Sequence, residues 1–266
     1  MRENTISVII PVYNGEDTIE KCIKSVLKQS KIELVKEIIV VNDGSTDSTQ
    51  EIVESMIKKN SLIKLVNQQN SGVSKTRNNG IKLALGEWIA LLDADDEWFL
   101  DKLSKQSEII DCYNPIMVSC NIRKTVQKIG FFKENKVIKV KPIDMMIRSF
   151  PQTSTVLIKK VVFDNLCFNE DQSHTEDINL FTKICSQYDY YHLNEWLVLY
   201  GNNKNQFSKH KGLSSDIKAM NNGAKRNLKE FCKLGIINYP LYIVLYVFNE
   251  IKYIRRIIKS LTAKSI

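Results

Sequence analysis

Four short apolar runs, separated by helical patterns, occupy the first 97 residues, and this alternation constrains the fold more than any other feature of the chain. Ser7-Val8-Ile9-Ile10-Pro11, Glu37-Ile38-Ile39-Val40-Val41, residues 62–66 and Trp88-Ile89-Ala90-Leu91-Leu92 are rich in β-branched and other apolar residues. Runs of this kind suit strands buried on both faces of a parallel sheet. Between them, residues 16–29 place Ile19, Ile23, Val26 and Leu27 on one helical face. Ser45 or Thr46 is expected to cap a second helix with Ile52, Val53, Met56 and Ile57 inside. Residues 73–85 give a third helix, with Gly86 expected at its C′ position. Regular strand–helix alternation predicts an α/β fold with a mostly parallel, Rossmann-like sheet and helices on both faces. Ligands of such sheets bind beyond the carboxyl ends of the strands. Polar clusters stand at three of those ends: Tyr13-Asn14, Asp43-Gly44-Ser45 and residues 93–96. The topology therefore gathers distant segments at one edge.

Beyond residue 98 the pattern loosens. Residues 99–112 and 177–186 read as helices, and 117–120, 130–140, 155–158 and 195–200 as strands. From about residue 215 the chain is helical. We expect a nucleotide-binding half over 1–97, an acceptor and catalytic half of the same domain over 98–215, and a helical tail over 216–266. The six cysteines form no CxxC pair, and the opening Met1-Arg2-Glu3-Asn4 lacks the apolar stretch of a signal peptide. Reduced thiols and a cytoplasmic location are expected. The net charge of +8 is uneven: residues 1–97 carry 12 Lys/Arg against 15 Asp/Glu, and the remainder 26 against 15. An acidic first half argues against a nucleic-acid partner. The basic second half suits either a solvated lysine-rich surface or an anionic membrane surface.

Asp93, Asp95 and Asp96 lie within four residues of one another at a strand end. Carboxylates this close repel, and keeping all of them ionised calls for a cation. Oxygen ligands suit Mg²⁺ or Mn²⁺, with few protein ligands and room for a diphosphate. The competing reading is an acidic loop facing the N-terminus of the following helix. Asp43 either accepts an N–H from a base or belongs to an ordinary turn and helix cap. Lys75 and Arg77, near a helix start approached through Gly72, offer positive charge to phosphates or form a solvated first turn.

Four segments in order, residues 7–14, Asn42-Asp43-Gly44-Ser45-Thr46-Asp47, Gly72 with Arg77-Asn78-Asn79-Gly80, and Leu92-Asp93-Ala94-Asp95-Asp96, resemble the nucleotide-binding half of family 2 glycosyltransferases. His174-Thr175-Glu176-Asp177 is similar to that family's Glu-Asp catalytic motif. The resemblance implies a GT-A fold and an inverting, metal-dependent transfer from a nucleotide-diphosphate sugar, with UDP the expected nucleotide, to a glycan or lipid-linked glycan. Pro11, Val12, Tyr13 and Asn14 would line the base pocket, Asp43 would contact uracil, Asp93 the ribose, and Asp95 the metal beside Ala94. Gly72 would approach the nucleotide, and Arg77 would lie near the diphosphate or support the acidic cluster. Asp177 would be the general base, with Glu176 raising its pKa by like-charge repulsion. The sequence departs from the family where Tyr200 is followed by Gly201-Asn202-Asn203 in place of a Tyr-Arg pair and a nearby His. Lys209, His210 or Lys211 is then the expected substitute.

The alternatives are a sugar-nucleotide nucleotidyltransferase, which would want a glycine-rich phosphate loop where residues 11–17 offer only Gly15, and a non-catalytic carbohydrate binder, which has no need of Asp95 and Asp177. In the tail, residues 236–248 are apolar but too short to span a bilayer. Val247, Ile251, Ile254, Ile258 and Leu261 form a helical stripe, with Lys252, Arg255, Arg256 and Lys259 off it. That pattern reads as a helix over 240–262 lying on the inner face of the cell membrane, or one packing on the domain or on a second copy of the chain in a homodimer.

Overall fold

The computed structural model describes residues 4–123, 136–148, 150–201 and 216–262. The expected alternation is present: β1 (Ile6–Val12), α1 (Ile19–Leu27), β2 (Val35–Asn42), α2 (Thr49–Ile57), β3 (Ile63–Asn67), α3 (Val73–Leu83) and β4 (Trp88–Leu91). There follow β5 (Glu97–Trp98), α4 (Lys102–Tyr113), β6 (Met117–Arg123), β7 (Val137–Lys139), α5 (Pro142–Arg148), β8 (Leu157–Lys159), α6 (Glu176–Gln187) and β9 (Tyr190–Leu199). Helices α7 (Ile217–Lys233) and α8 (Tyr239–Thr262) close the chain. Among the described residues, one nine-stranded sheet runs β3-β2-β1-β4-β8-β6-β9-β5, with β7 on β9. The pairings among β1 to β4 are parallel, as is β6 with β9; β8 enters antiparallel between β4 and β6.

The run in β1 is apolar without alternation because both of its faces are covered. Ile6, Val8, Ile10 and Val12 pack in one core with Ile19, Ile23 and Val26 of α1 and Val53 of α2. Ile9 turns to the other face and packs with Ile81 of α3 and Leu180 of α6. Burying each such side chain stabilises the fold by about 2 kcal/mol relative to exposure.

Several local expectations are corrected. Helix α2 starts at Thr49 with Ser48 at its N-cap, and neither Ser45 nor Thr46 caps it. Both residues are taken by the neighbouring loop: Ser45 Oγ accepts from the Asn14 N–H at 2.9 Å, and the Thr46 N–H donates to Asn14 Oδ1 at 2.8 Å. The loops after β1 and β2 are stitched together because Val12 and Asn42 sit in register at the strand ends. Gly86 does not cap α3, which ends at Leu83 with Ala84 extended. A Cβ at Gly86 would lie 2.5 Å from the Ser7 backbone nitrogen, so close chain approach is what requires glycine there. Residues 153–155, the first of which lie just before an expected strand, form a 3₁₀ turn, and β8 begins at Leu157. Strand β9 begins at Tyr190, five residues before its expected start. Of the strand expected over 130–140, residues 130–135 lie outside the described residues.

Helix α8 packs through Leu245 on Leu228 and Phe231 of α7, with Met146 of α5 beside them. Its opposite face is bare: Val247, Ile251, Ile254 and Ile258 are all more than half exposed. No helix among the described residues is long and apolar enough to cross a membrane.

Candidate functional site

The carboxyl ends of β1, β2 and β4 bring the expected residues to one edge. Pro11 and Val12 end β1 and are buried, while Tyr13 beyond them is exposed. Asn14 holds φ 51, a left-handed turn that asparagine tolerates, and its side chain clamps the β2 loop. Asp43 is buried and closes the entry to α3. Its Oδ1 accepts from the Ser71 N–H and Gln68 Nε2, each at 2.8 Å, and its Oδ2 accepts from the Gly72 N–H at 3.0 Å. Gly72 has φ 87, a conformation that an L side chain strains to adopt. Asp43 and Gly72 are thus coupled, and the carboxylate fixes the loop whatever else it contacts.

Arg77 leaves the second turn of α3 for the interior and is 4% exposed. Its Nη2 donates to Asp93 Oδ1 and its Nη1 to Glu176 Oε1, both at 2.8 Å. The guanidinium stacks 5.2 Å over the Phe168 ring, and its Nε has no partner among the described residues. Burial opposes the charge, but Asp93 and Glu176 outweigh that cost and hold its pKa above the ordinary arginine value. Of the two roles expected for Arg77, support of the acidic cluster is the one the geometry contains. Lys75 is exposed.

The acid run is divided by environment. Asp93 and Asp95 are half-buried, whereas Asp96 is buried. Asp96 Oδ2 accepts from Ser154 Oγ at 2.5 Å, and Oδ1 from the Gly201 N–H at 2.8 Å. The same Ser154 Oγ accepts from the Asp93 N–H at 3.0 Å. Burial first, then the charges of Asp93 and Asp95, raises Asp96 to about 7. Asp96 therefore belongs to the scaffold of the run and does not face the N-terminus of α4, which Asp101 precedes. Ala94 packs against the core beneath α1.

Asp177 stands in the first turn of α6, beside Glu176. Its Oδ1 accepts from the Ile178 N–H at 2.7 Å and its Oδ2 from Thr153 Oγ1 at 3.4 Å. Burial, then Glu176, raises it to about 7, against the pull of Arg77. Asp177 also lines a cavity of about 480 Å³ between α5, α6, α7 and α8. A carboxyl poised near neutral pH in a cavity wall is suited to proton transfer. Among the described residues no three His, Cys, Asp or Glu side chains converge as a metal cluster. The donor set still fits a hard cation that shares its shell with phosphates, because Asp95 stands half-exposed at the strand end beside an Asp93 that keeps 32% of its side chain accessible. Lys209, His210 and Lys211 lie outside the described residues.

Ser154, Thr153, Gln68 and Phe168 were not singled out by sequence reasoning. The signal for two of them is the polar run Gln152-Thr153-Ser154-Thr155, in which the last three side chains are buried next to an apolar strand. Buried hydroxyls need partners: Thr153 donates to Asp177 and Ser154 to Asp96, while Thr155 donates to the Gln152 carbonyl.

The family described as Glycosyl transferase family 2 matches residues 7–186, more than half of the chain. An uncharacterized glycosyltransferase, EpsJ of Bacillus subtilis, is 31% identical over 185 residues, covering 65% of this chain and 53% of its own length. The chain thus spans about half the length of that relative. Among solved structures, Staphylococcus aureus TarS with UDP-GlcNAc superposes with TM-score 0.71 at 22% identity, over 86% of this chain and 66% of its own. The Pyrobaculum calidifontis mannosyltransferase PcManGT, in complex with GDP-Man and Mn²⁺, gives TM-score 0.69 at 19% identity, over 91% and 68%. Those two likenesses show the fold: this α/β chain has the GT-A architecture.

Proposed function

The chain belongs to glycosyl transferase family 2, and on that premise we propose that it transfers a sugar, with inversion, from a UDP-sugar to a hydroxyl of a glycan or lipid-linked glycan. The observation that carries this reading is the Arg77 bridge. It fastens the acid run, through Asp93, to the helix that presents Asp177, and so joins a nucleotide-sugar edge to a poised base. Pro11, Val12, Tyr13, Asn14 and Asp43 border the base and Asp93 the ribose. Asp95 would hold Mn²⁺ or Mg²⁺, which when bound would neutralise charge on the departing diphosphate. Asp177 takes the proton of the acceptor hydroxyl as its oxygen bonds to the anomeric carbon. The bond from that carbon to the diphosphate breaks, and attack from the opposite side inverts the centre. Glu176, held by Arg77, positions Asp177 and raises its basicity. UDP bound to TarS supports the donor class, and Mn²⁺ in PcManGT supports the metal.

A UDP-release assay with a panel of UDP-sugars and a mixed acceptor extract tests the reading. Release is expected with Mn²⁺ and is abolished by EDTA. Asp95→Asn is expected to lower it about 100-fold, on the scale of a lost Lewis-acid contact. Full activity in EDTA would remove the metal from the scheme.

The exposed stripe of α8 is assigned to a membrane interface, with the exposed Arg255 at its edge complementing an anionic lipid surface. Ile251→Glu with Ile254→Glu and Ile258→Glu is expected to reduce sedimentation with phosphatidylglycerol vesicles at least several-fold. Unchanged sedimentation, with the triple variant shifting instead from dimer to monomer, would assign the stripe to a second copy of the chain.

A further inference from the structure

Thr175 opens α6 one residue before Glu176 and holds φ 58 and ψ 22. A β-branched residue keeps this left-handed conformation only where its surroundings impose it. Its side chain makes no cap to its own helix. The constraint comes from α7. The Asn227 side chain, 3% exposed, donates through Nδ2 to the Thr175 carbonyl at 2.9 Å and to Thr175 Oγ1 at 3.1 Å. The amide cannot turn over, because its Oδ1 accepts from Gln172 Nε2 at 2.9 Å and from Asn179 Nδ2 at 3.0 Å, and reversal would set donor against donor. One turn earlier on the same face of α7 stands Gly223. A Cβ there would lie 2.5 Å from the His174 carbonyl oxygen and 2.6 Å from Thr175 Oγ1, so the helix meets the turn at backbone distance. Glu230 fastens the two helices further along, accepting from Asn179 Nδ2 at 2.8 Å and from Lys183 Nζ at 2.7 Å. The conformation of Thr175 fixes the direction in which the chain enters α6, and with it the place of Asp177 two residues later. Helix α7 lies outside residues 7–186, over which the family matches.

We propose that Asn227 is a positioning residue for sugar transfer: it holds the Thr175 turn left-handed and so sets where Asp177 meets the acceptor hydroxyl. Helix α7 is then part of the catalytic unit and not only a support for the tail. This deepens the transferase reading and rests on it. Without Asn227 the turn relaxes toward the extended or right-handed backbone that threonine favours, and Asp177 is carried out of line. The partners of Asn227 are Gln172, Thr175 and Asn179, none of them at the donor edge, so UDP binding is spared.

The test uses the full chain with Mn²⁺. It measures UDP affinity by calorimetry, and UDP release from the UDP-sugar panel with the mixed acceptor extract. Asn227→Ala is expected to lower kcat about 10- to 100-fold, the cost of a misplaced catalytic group, while UDP affinity and the donor KM stay within about threefold. Adding Thr175→Gly, which reaches φ above zero without a Cβ, is expected to return at least about fivefold of the lost rate. A plain packing defect would not respond in this way, since glycine adds no contact and loosens the chain. If Asn227→Ala does not fold, Asn227→Asp carries the test: it keeps the shape and the acceptor atoms but cannot donate to the Thr175 carbonyl, and the same loss and the same recovery are expected. Normal kcat, a loss that Thr175→Gly leaves unchanged, or an equal fall in kcat and UDP affinity overturns the proposal and leaves the transferase reading standing. Failure of both variants to fold makes Asn227 a structural brace and overturns it as well. A parent chain that binds no UDP and releases none from any UDP-sugar overturns the transferase reading, and the proposal with it.

Discussion

Replacing Asp177 with asparagine is expected to lower sugar transfer about 10²- to 10⁴-fold while UDP binding stays within twofold. Asparagine keeps Oδ1 to accept from the Ile178 N–H, and its Nδ2 can donate to the Thr153 hydroxyl, but it cannot take a proton. The pH profile of the parent chain carries the same signature. With the carboxyl held up to about 7 by burial and by Glu176, transfer falls as pH drops through 7 and the base becomes protonated. Stability runs the opposite way. A carboxyl whose folded pKa lies above its unfolded value favours the folded state fully only at low pH, and this contribution is lost as pH rises from about 4 through 7. Asp177→Asn should therefore unfold at a higher temperature than the parent at pH 8, by the order of 1–3 kcal/mol, with little difference at pH 4. Normal transfer by the variant would show that the base is another residue.

Arg77→Met is expected to cost about 3–5 kcal/mol, because it strands the carboxylates of Asp93 and Glu176 that one guanidinium now neutralises. For a domain of this size that is a fall in melting temperature of about 10 °C. UDP affinity should fall with it, since Asp93 loses the partner that orients it. Arg77→Lys restores the charge but not the two-pronged geometry and should recover only part of either loss. A melting temperature within 2 °C of the parent for Arg77→Met would mean that the two acids find other partners and that the bridge does not hold the site together.

The strand ends were legible because they follow from local patterning. Apolar runs bounded by Asn14, Asp43 and Asp93 point to one edge by topology alone. The bond from Arg77 to Glu176 was not legible, because it spans 99 positions and nothing at either residue signals the other. The same distance hid the service of Ser154 to Asp93 and Asp96. Gly86 was misread for a different reason: a glycine after a helix has a common local explanation, and only the packed position of Ser7 reveals the stronger one. Asp43 was expected to contact the nucleotide; it stands just beyond the carboxyl end of β2, and the share of its hydrogen bonds spent on residues 68–72 emerges only when that loop is folded back.

The antiparallel entry of β8 bears on how such a chain can diversify. A parallel strand of this sheet delivers the loop that follows it to the carboxyl edge. A strand running the other way delivers the loop that precedes it. The segment ahead of β8 thus arrives beside the acids from the opposite chain direction, bringing Thr153 to Asp177 and Ser154 to Asp96. Lengthening or exchanging the residues upstream of Gln152 would reshape the wall beside Asp177 without shifting the three-residue pairing that anchors β8. On the proposed reading, the surface that meets the acceptor can therefore vary while the architecture is kept.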